Sequence, residues 1–160
     1  MKKINLIIIS ILVLLSCKTR TNTPVVKYQP VVLDYAGLFS KSQKDSLSQK
    51  IITYETISTN EICVYTIDSL PKNTAVHSHA TTLANTLGVG KKEKDNGLLI
   101  LISKYDRDIA IATGYGTEQL ISDYDCKNVI DNTMVPHFKK GDFFQGTIEA
   151  IDALIILWQE

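Results

Sequence analysis

The sequence predicts an α/β protein: an α/β/α sandwich with a central mixed sheet of about four strands and helices on both faces. Three observations lead to this prediction. Segments of strand and helix character follow one another in the order strand, helix, strand, helix, strand, strand, helix, helix. Residues 97–102 form an unbroken apolar run, which is typical of a strand buried on both faces. Residues 142–158 keep apolar side chains at helical spacing.

The first half of this pattern begins with a short apolar run, Val31 to Leu33, which predicts a brief strand. Ser40 and Gln43 have the spacing of a capping box and predict the start of the first helix. The apolar face of this helix is Leu47, Ile51 and Tyr54. Glu61 to Ile67 alternates apolar and polar residues well enough to predict the second strand.

A second helix and a hairpin follow. We predict that the helix begins at Asn73 and ends before Gly88. Its apolar stripe is Val76, Ala80, Leu83 and Leu87. The runs 97–102 and 108–113 are separated by a short polar turn, which predicts two antiparallel strands. Residues 114–118 contain two glycines and predict a loop that needs the conformational freedom of glycine.

Two helices complete the predicted domain. The third runs from about Asp123 to near Pro136, and Asp142 caps the fourth. The fourth helix carries a long apolar stripe: Phe144, Ile148, Ile151, Ile155 and Trp158. Such a stripe can face a membrane, a partner or the core. Acidic and polar residues occupy the opposite face of the helix, which favours packing against the core.

The N-terminal residues indicate where the protein works. A basic start, Met1 to Lys3, precedes the apolar run from Ile4 to Leu15, as in a secretory signal that is too short to span a bilayer. The ending Leu-Leu-Ser-Cys resembles the lipobox of bacterial lipoproteins. We therefore predict a signal peptide over residues 1–16, a lipidated Cys17 and a flexible tether over residues 17–30. The alternatives are an ordinary secretory signal with a chance cysteine and a short anchor helix.

Charge and cysteine content narrow the function classes. Seventeen basic residues balance seventeen acidic ones and are scattered along the chain, so the sequence indicates no nucleic-acid partner. Cys63 lies in a predicted strand and Cys126 in a predicted first helical turn. We expect both to be buried free thiols, although export makes a disulfide chemically possible. No spacing of cysteines and histidines indicates zinc.

Several short segments, in order and at their spacings, resemble the TPM domain family over residues 31–160. They are Val32-Leu33-Asp34, Ala36-Gly37-Leu38, residues 95–101, residues 114–118, Ile121-Ser122-Asp123, Pro136-His137-Phe138 and Gly141-Asp142-Phe143. The resemblance implies an α/β/α sandwich that is exported or lumenal and often attached to a membrane. Members of this family include a thylakoid-lumen protein described as an acid phosphatase and accessory factors of membrane complexes, and some members bind calcium. One departure is Thr59-Asn60, where the family usually has Thr-Gly.

Acidic loop residues are the candidates for a calcium or magnesium site, because hard cations prefer oxygen ligands. Hairpin topology predicts that Asp95 and Asn96 lie near Glu118 and Asp123. Asp34 is a further candidate, carried by the family pattern, and we expect it at the opposite edge, nearer Asp68. Each residue also has a structural interpretation. Asp123 suits a helix N-cap, residues 95–97 suit a turn, and Glu118 suits a solvated surface.

Tyr115, between two glycines, is a candidate binding residue that could equally fold back over the hairpin. No nucleophile and base are recognisable as a catalytic pair in the sequence. The Asp-Tyr-Asp at 123–125 does not directly follow a strand, as the nucleophile of an aspartyl-phosphate phosphatase does. The sequence therefore favours a non-enzymatic accessory or interaction module for a membrane or envelope protein complex. It would be a membrane-anchored lipoprotein facing the periplasm or the cell exterior. The alternative is a metal-dependent acid phosphatase.

Overall fold

A computed structural model describes residues 30–159 and shows one mixed sheet of four strands. The strands are β1 (Val32–Asp34), β2 (Glu61–Ile67), β3 (Gly97–Ser103) and β4 (Asp108–Thr113), and they lie in that order across the sheet. β1, β2 and β3 are parallel, and β4 runs antiparallel to β3. The predicted signal peptide, the predicted lipid site at Cys17 and the tether up to residue 29 lie outside the described residues.

Helices cover both faces of this sheet, which confirms the predicted fold class. The helical segments are α1 (Lys41–Ser58), α2 (Val76–Leu87), α3 (Tyr115–Glu118), α4 (Asp123–Val129), a π-helical turn (Ile130–Met134), α5 (Val135–Phe138) and α6 (Phe143–Leu157). Residues of α1, α4 and α6 share one hydrophobic cluster on the first face. Residues of α2 pack into a smaller cluster on the second face. None of the helices within residues 30–159 is long and apolar enough to cross a membrane.

β3 is the centre of both clusters. Every residue of this strand is buried, and Leu98 to Ile102 are no more than 1% exposed. Leu98, Ile100 and Ile102 point into the larger cluster, while Leu99 and Leu101 point into the α2 cluster. Each fully buried leucine or isoleucine stabilises the fold by about 1.5–3 kcal/mol relative to an exposed one. The apolar run in the sequence therefore reflects a strand enclosed between two helical layers.

The apolar stripe of α6 packs on the core, as the sequence predicts. Asp142 accepts a hydrogen bond from the backbone N–H of Gln145 at 3.1 Å and caps the helix. Ile151 and Leu154 are fully buried. The ring of Trp158 packs against that of Tyr54 on α1, with ring centroids 6.0 Å apart. The last helix therefore closes the larger cluster.

Two predicted boundaries were wrong for local reasons. Residues 115–118 form the short helix α3 and not a loop, because Thr117 and Glu118 both donate to the carbonyl of Gly114. The second helix begins at Val76, since Asn73 adopts a left-handed conformation (φ 60°) that no right-handed helix contains.

The helix predicted to end near Pro136 continues through it as far as Phe138. Just before the proline, Val135 donates to the carbonyl of Ile130, one residue further back than in an α-helix. Proline has no N–H to donate, and its ring interferes with the preceding helical turn. The wider turn lets the chain keep its direction past this residue.

Cys63 and Cys126 are both free and buried, as expected. Cys63 belongs to the α2 cluster and Cys126 to the larger cluster, so the sheet lies between the two thiols. Burial is the main cause that raises the pKa of each thiol to about 12. Both side chains therefore act as small apolar residues at neutral pH.

Candidate functional site

The acidic candidates separate between the two ends of the sheet. β2 and β3 begin, and β4 ends, at what we call the N-terminal end of the sheet. Asp95 and Asn96 directly precede β3 at this end, and Glu118 and Asp123 follow β4 there. Asp34 closes β1 at the opposite end, next to Thr66 of β2. This is the separation that the hairpin and the parallel strands predict.

Asn96 joins three loops at the N-terminal end of the sheet. Its Nδ2 donates to the Thr59 carbonyl and to Asn60 Oδ1, both at 2.9 Å. Its Oδ1 accepts the backbone N–H of Lys91, also at 2.9 Å. The side chain is buried, so these bonds form away from water. Its amide oxygen is therefore already committed to a donor within the protein.

Asn60 takes part in this network, where the family usually has glycine. The left-handed residue here is Thr59 (φ 68°), which ends α1, so position 60 does not require glycine. Asn60 donates to the hydroxyl of Tyr54 at 3.1 Å and accepts from Asn96. The departure from the family pattern adds two side-chain bonds, and Asn60 itself needs no left-handed backbone.

The two glycines after β4 are required by close backbone packing. A Cβ at Gly114 would lie 2.2 Å from the carbonyl oxygen of Asp95, and one at Gly116 would lie 2.0 Å from that of Lys94. The backbone N–H of Gly116 donates to Asp95 at 3.1 Å. Neither glycine has a positive φ, so the expectation that they supply conformational freedom was wrong. They let the turn before β3 and the start of α3 touch.

The acidic side chains differ in how they are engaged. Glu118 and Asp123 are exposed, as is Asp95, whose backbone is left-handed (φ 47°). Burial is the largest cause of the raised pKa of the Cys126 thiol, and the negative charges of Asp123, Asp125 and Glu118 raise this pKa further. The three carboxylates therefore all lie near Cys126. Asp125 accepts from Ser122 N at 2.9 Å and Oγ at 2.6 Å, which lowers the pKa of its carboxyl. Asp125 therefore completes the capping box of α4, whose N-cap is Ser122 and not the predicted Asp123.

Asp34 holds the turn between β1 and α1. One carboxylate oxygen accepts from the backbone N–H of Leu38 at 2.9 Å and from Thr66 Oγ1 at 2.6 Å. The other accepts from the backbone N–H of Phe39 at 3.1 Å. These bonds engage both oxygens and lie at the opposite end of the sheet from Asp95. Within residues 30–159, no three His, Cys, Asp or Glu side chains come together as a metal-binding group.

Tyr115 points into solvent and does not fold over the hairpin: 78% of it is exposed. Seven large apolar side chains are mostly exposed in the described part of the chain, and three of them lie between residues 115 and 124. The other two are Leu120 (51%) and Tyr124 (76%), and Glu118 and Asp123 alternate with them along the chain. We call these five residues the aromatic–acidic surface. The sequence did not indicate Leu120 and Tyr124 as site residues, since apolar residues beside a predicted helix usually belong to the core.

The histidines lie elsewhere. His137 pairs with Glu149 of α6, with Nε2 and Oε2 3.0 Å apart. A hydrogen bond from Gln145 and the contact with His137 lower the pKa of the Glu149 carboxyl. His77 is exposed near the start of α2, and His79 is half-buried two residues further along the same helix. These residues link helices or face solvent, and the site consists of the aromatic–acidic surface on its rigid support.

Comparison with known proteins agrees with this fold. The sequence profile of the TPM domain matches residues 32–156, and the chain therefore belongs to the TPM domain family. No curated protein matches the sequence.

Solved structures share the architecture. The solution NMR structure of the N-terminal domain of a protein from P. gingivalis is 28% identical with a TM-score of 0.73, and the match covers 80% of this chain and 81% of that one. The BA42 protein from Bizionia argentinensis is 21% identical with a TM-score of 0.64, covering 75% and 81%. The N-terminal domain of a protein from Corynebacterium glutamicum is 17% identical with a TM-score of 0.63, covering 80% and 79%. The last two matches concern the fold alone.

We predict that Asn96→Asp lowers the free energy of unfolding by about 2 kcal/mol at pH 7. The new carboxylate oxygen would face the Thr59 carbonyl and Asn60 Oδ1, which are both acceptors. Urea denaturation measures the change, and the deficit should shrink on acidification because a protonated carboxyl can donate again. The neighbouring exposed variant Asp95→Asn should change stability by less than about 0.5 kcal/mol. Equal effects of the two variants would contradict the assigned role of Asn96.

Proposed function

We propose that this protein is an exported, lipid-anchored TPM domain that acts as a non-enzymatic interaction module for a membrane or envelope protein. The observation that carries the proposal is the aromatic–acidic surface, where Tyr115, Leu120 and Tyr124 remain more than half exposed. Water around such side chains is released when a partner covers them. Tyrosines are also enriched at the energetic centres of protein interfaces. The surface therefore has the composition of a binding face.

The support beneath this surface favours binding further. The N–H of Gly116 and the hydroxyl of Thr117 hold α3 on the start of β3, at 3.1 Å from Asp95 O and 3.0 Å from Gly97 O. Ile121 is fully buried between the exposed residues and anchors the segment to the core. A surface that is already fixed loses little conformational entropy when it binds.

The point where the chain enters the sheet lies toward the same end of the domain as the aromatic–acidic surface. β1 runs parallel to β2, so the chain that leads from Cys17 enters the sheet from its N-terminal end. The aromatic–acidic surface follows β4 at that end. A tether over residues 17–30 spans at most about 45 Å when extended. A lipid at Cys17 would thus hold the surface within reach of proteins in the same membrane.

The alternative, a metal-dependent acid phosphatase, would use the same acidic side chains. Phosphoryl transfer needs an activated nucleophile and positive charge around the transferred group. Asp123 opens α4 behind its N-cap Ser122 and is not positioned directly after a strand. Turnover of a phosphomonoester near ~10 s⁻¹, abolished by Asp123→Asn, would favour the phosphatase over the interaction module.

We further propose weak calcium or magnesium binding at the loops around Asp95 and Glu118–Asp123, with affinity of roughly 0.1–1 mM, as in extracellular calcium sites. The described residues hold no preformed group of three such side chains, so an ion would draw these exposed carboxylates together on binding. Glu118→Gln or Asp123→Asn should weaken binding several-fold, because each removes a charged ligand. Amide shifts during a calcium titration measure this, with Asp68→Asn at the other end of the sheet as the control. Shifts spread evenly over all acidic residues would contradict a specific site. Asn96 should not contribute, since its oxygen is engaged by Lys91.

For the anchor, we predict that Cys17→Ala releases the protein from membranes. The lipid supplies the hydrophobic attachment, and the tether has no other apolar run. Fractionation of membranes and intact-mass analysis of the mature N-terminus measure the outcome. Cys63→Ala, which also removes a thiol, should leave the protein in the membrane fraction. An unmodified Cys17 in the mature protein would refute the lipoprotein assignment.

A double variant tests whether the aromatic–acidic surface binds a partner. The double variant Tyr115→Ser with Tyr124→Ser should lower the yield of a crosslinked membrane-protein partner by at least about tenfold, because interface tyrosines often contribute more than 1 kcal/mol each. Quantitative mass spectrometry after crosslinking in native membranes provides the measurement. Tyr105→Ser is the matched control, since Tyr105 is 68% exposed on the turn at the opposite end of the sheet. Equal yields from the two variants would show that the partner binds elsewhere.

A further inference from the structure

A cavity of about 510 Å³ lies at the opposite end of the sheet from the aromatic–acidic surface. It opens between the β3–β4 turn and the connection from α5 to α6. Its walls are apolar: Ile102, Ile109, Val135, Phe138 and Phe143. The rings of Phe138 and Phe143 pack with centroids 4.9 Å apart, and the ring of Phe138 fits against Gly146, where a Cβ would come within 2.7 Å of it. The back of the cavity is therefore held in place by packed side chains.

Positive charge surrounds the opening. Lys104, Arg107 and Lys139 line it, against the single lining carboxylate of Asp108. Arg107 and Lys139 are exposed, and the side chain of neither makes a hydrogen bond or ion pair with another residue in the range 30–159. Two cationic groups thus stand beside an apolar cavity without a counter-charge on them.

The neighbouring charges are engaged in the structure. Lys104 Nζ donates to the carbonyl of Ala36 at 3.0 Å and lies 5.3 Å from the ring centroid of Tyr105. The carboxylate of Asp106 accepts from Ser103 Oγ and from the backbone N–H of Leu70, both at 2.6 Å. Asp106 is therefore turned toward the loop before α2 and is not a partner for Arg107. The charge that remains available at the opening is mainly positive.

A second groove provides a contrast. It has a volume of about 410 Å³ and lies beside Ile62 and Cys63, at the start of β2. Its cation, Lys91, forms ion pairs with Glu55 and Glu61. These carboxylates raise the pKa of the Lys91 ammonium, with the Glu61 hydrogen bond as the largest cause. An anion gains little at this groove, because its positive charge is already neutralised.

We propose that the cavity between the β3–β4 turn and α5–α6 binds a small, freely diffusing amphipathic anion. The apolar body of the ligand lies against Ile109, Phe138 and Phe143, and its carboxylate, sulfonate or phosphate group lies between Arg107 and Lys139. The volume falls in the range of small-molecule sites. Ile102 and Ser103 place the cavity at the carboxyl end of β3. This proposal does not depend on the function of the aromatic–acidic surface.

A free solute fits this position better than a membrane lipid. The chain enters the sheet from its N-terminal end, and the cavity lies at the other end. A tether through residues 17–30 would join the domain at the end remote from this opening. This position favours a solute that arrives through the aqueous phase.

Two fluorescent probes separate charge from apolar contact. 8-Anilinonaphthalene-1-sulfonate and N-phenyl-1-naphthylamine share one aromatic body, and only the first carries a sulfonate. Each is titrated into the unlipidated mature chain, residues 17–160 with Cys17→Ser, at low salt and followed by amide shifts. We expect the anionic probe to bind about fivefold more tightly than the neutral one, the gain that two partly screened cations provide. Its largest shifts should lie at Ser103, Ile109 and Phe143.

Charge-neutralising variants test the two cations. Arg107→Gln with Lys139→Gln should remove most of the preference for the anionic probe and leave the affinity of the neutral probe unchanged. Both side chains are exposed, so the amide spectrum should retain its native dispersion. Lys92→Gln, which removes an exposed cation at the other end of the sheet, should preserve the preference.

Four outcomes would overturn the proposal. The two probes could bind equally well, or the shifts could map to Ile62 or Tyr115. The double variant could behave as Lys92→Gln does. Phosphatidylglycerol vesicles could shift the same amides as the soluble anionic probe, which would assign the cavity to a lipid surface.

Discussion

The whole fold depends on the burial of β3 on both faces. A strand whose residues 98–102 are at most 1% exposed needs a helical layer above and below it and a paired strand on each side. α2 provides one layer, and α1 with α4 to α6 provides the other. The backbone N–H and C=O groups of β3 form hydrogen bonds with β2 on one side and with β4 on the other. Burial of β3 on both faces therefore determines where the two helical layers and the two neighbouring strands must lie.

The start of β3 also organises the N-terminal end of the sheet. Asn96, immediately before the strand, ties the end of α1 and the 91–94 turn to it through three hydrogen bonds. Gly97 accepts from the N–H of Gly114 and from the hydroxyl of Thr117 through its carbonyl. One short stretch thus holds the segments on both sides of it. Side chains that do not take part in this network, such as Tyr115 and Tyr124, remain exposed to solvent.

The sequence was sufficient to predict the fold because its strongest signals are local. Capping-box spacing at Ser40 and an apolar run at 97–102 depend on neighbours a few residues away. Hairpin topology also predicted that Asp95 and Glu118 share one end of the sheet. The bonds of Asn96 could not be predicted, since two of its partners are 36 and 37 residues away. Exposure of Leu120 and Tyr124 was equally hidden, because an apolar letter does not show which way its side chain points.

The short first strand has a mechanical consequence. A pull on the chain that precedes Val31 would act along β1 and load its hydrogen bonds to β2 in shear. Those bonds are few: the N–H of Val64 donates to Val31 at 2.8 Å, and the N–H of Tyr35 donates to Thr66 at 3.2 Å beyond the three paired residues. The carboxylate of Asp34 strengthens this attachment, because it accepts hydrogen bonds from Thr66 of β2 and from the backbone N–H of Phe39, just before α1. Asp34 therefore stabilises the connection between the domain and the chain that precedes β1.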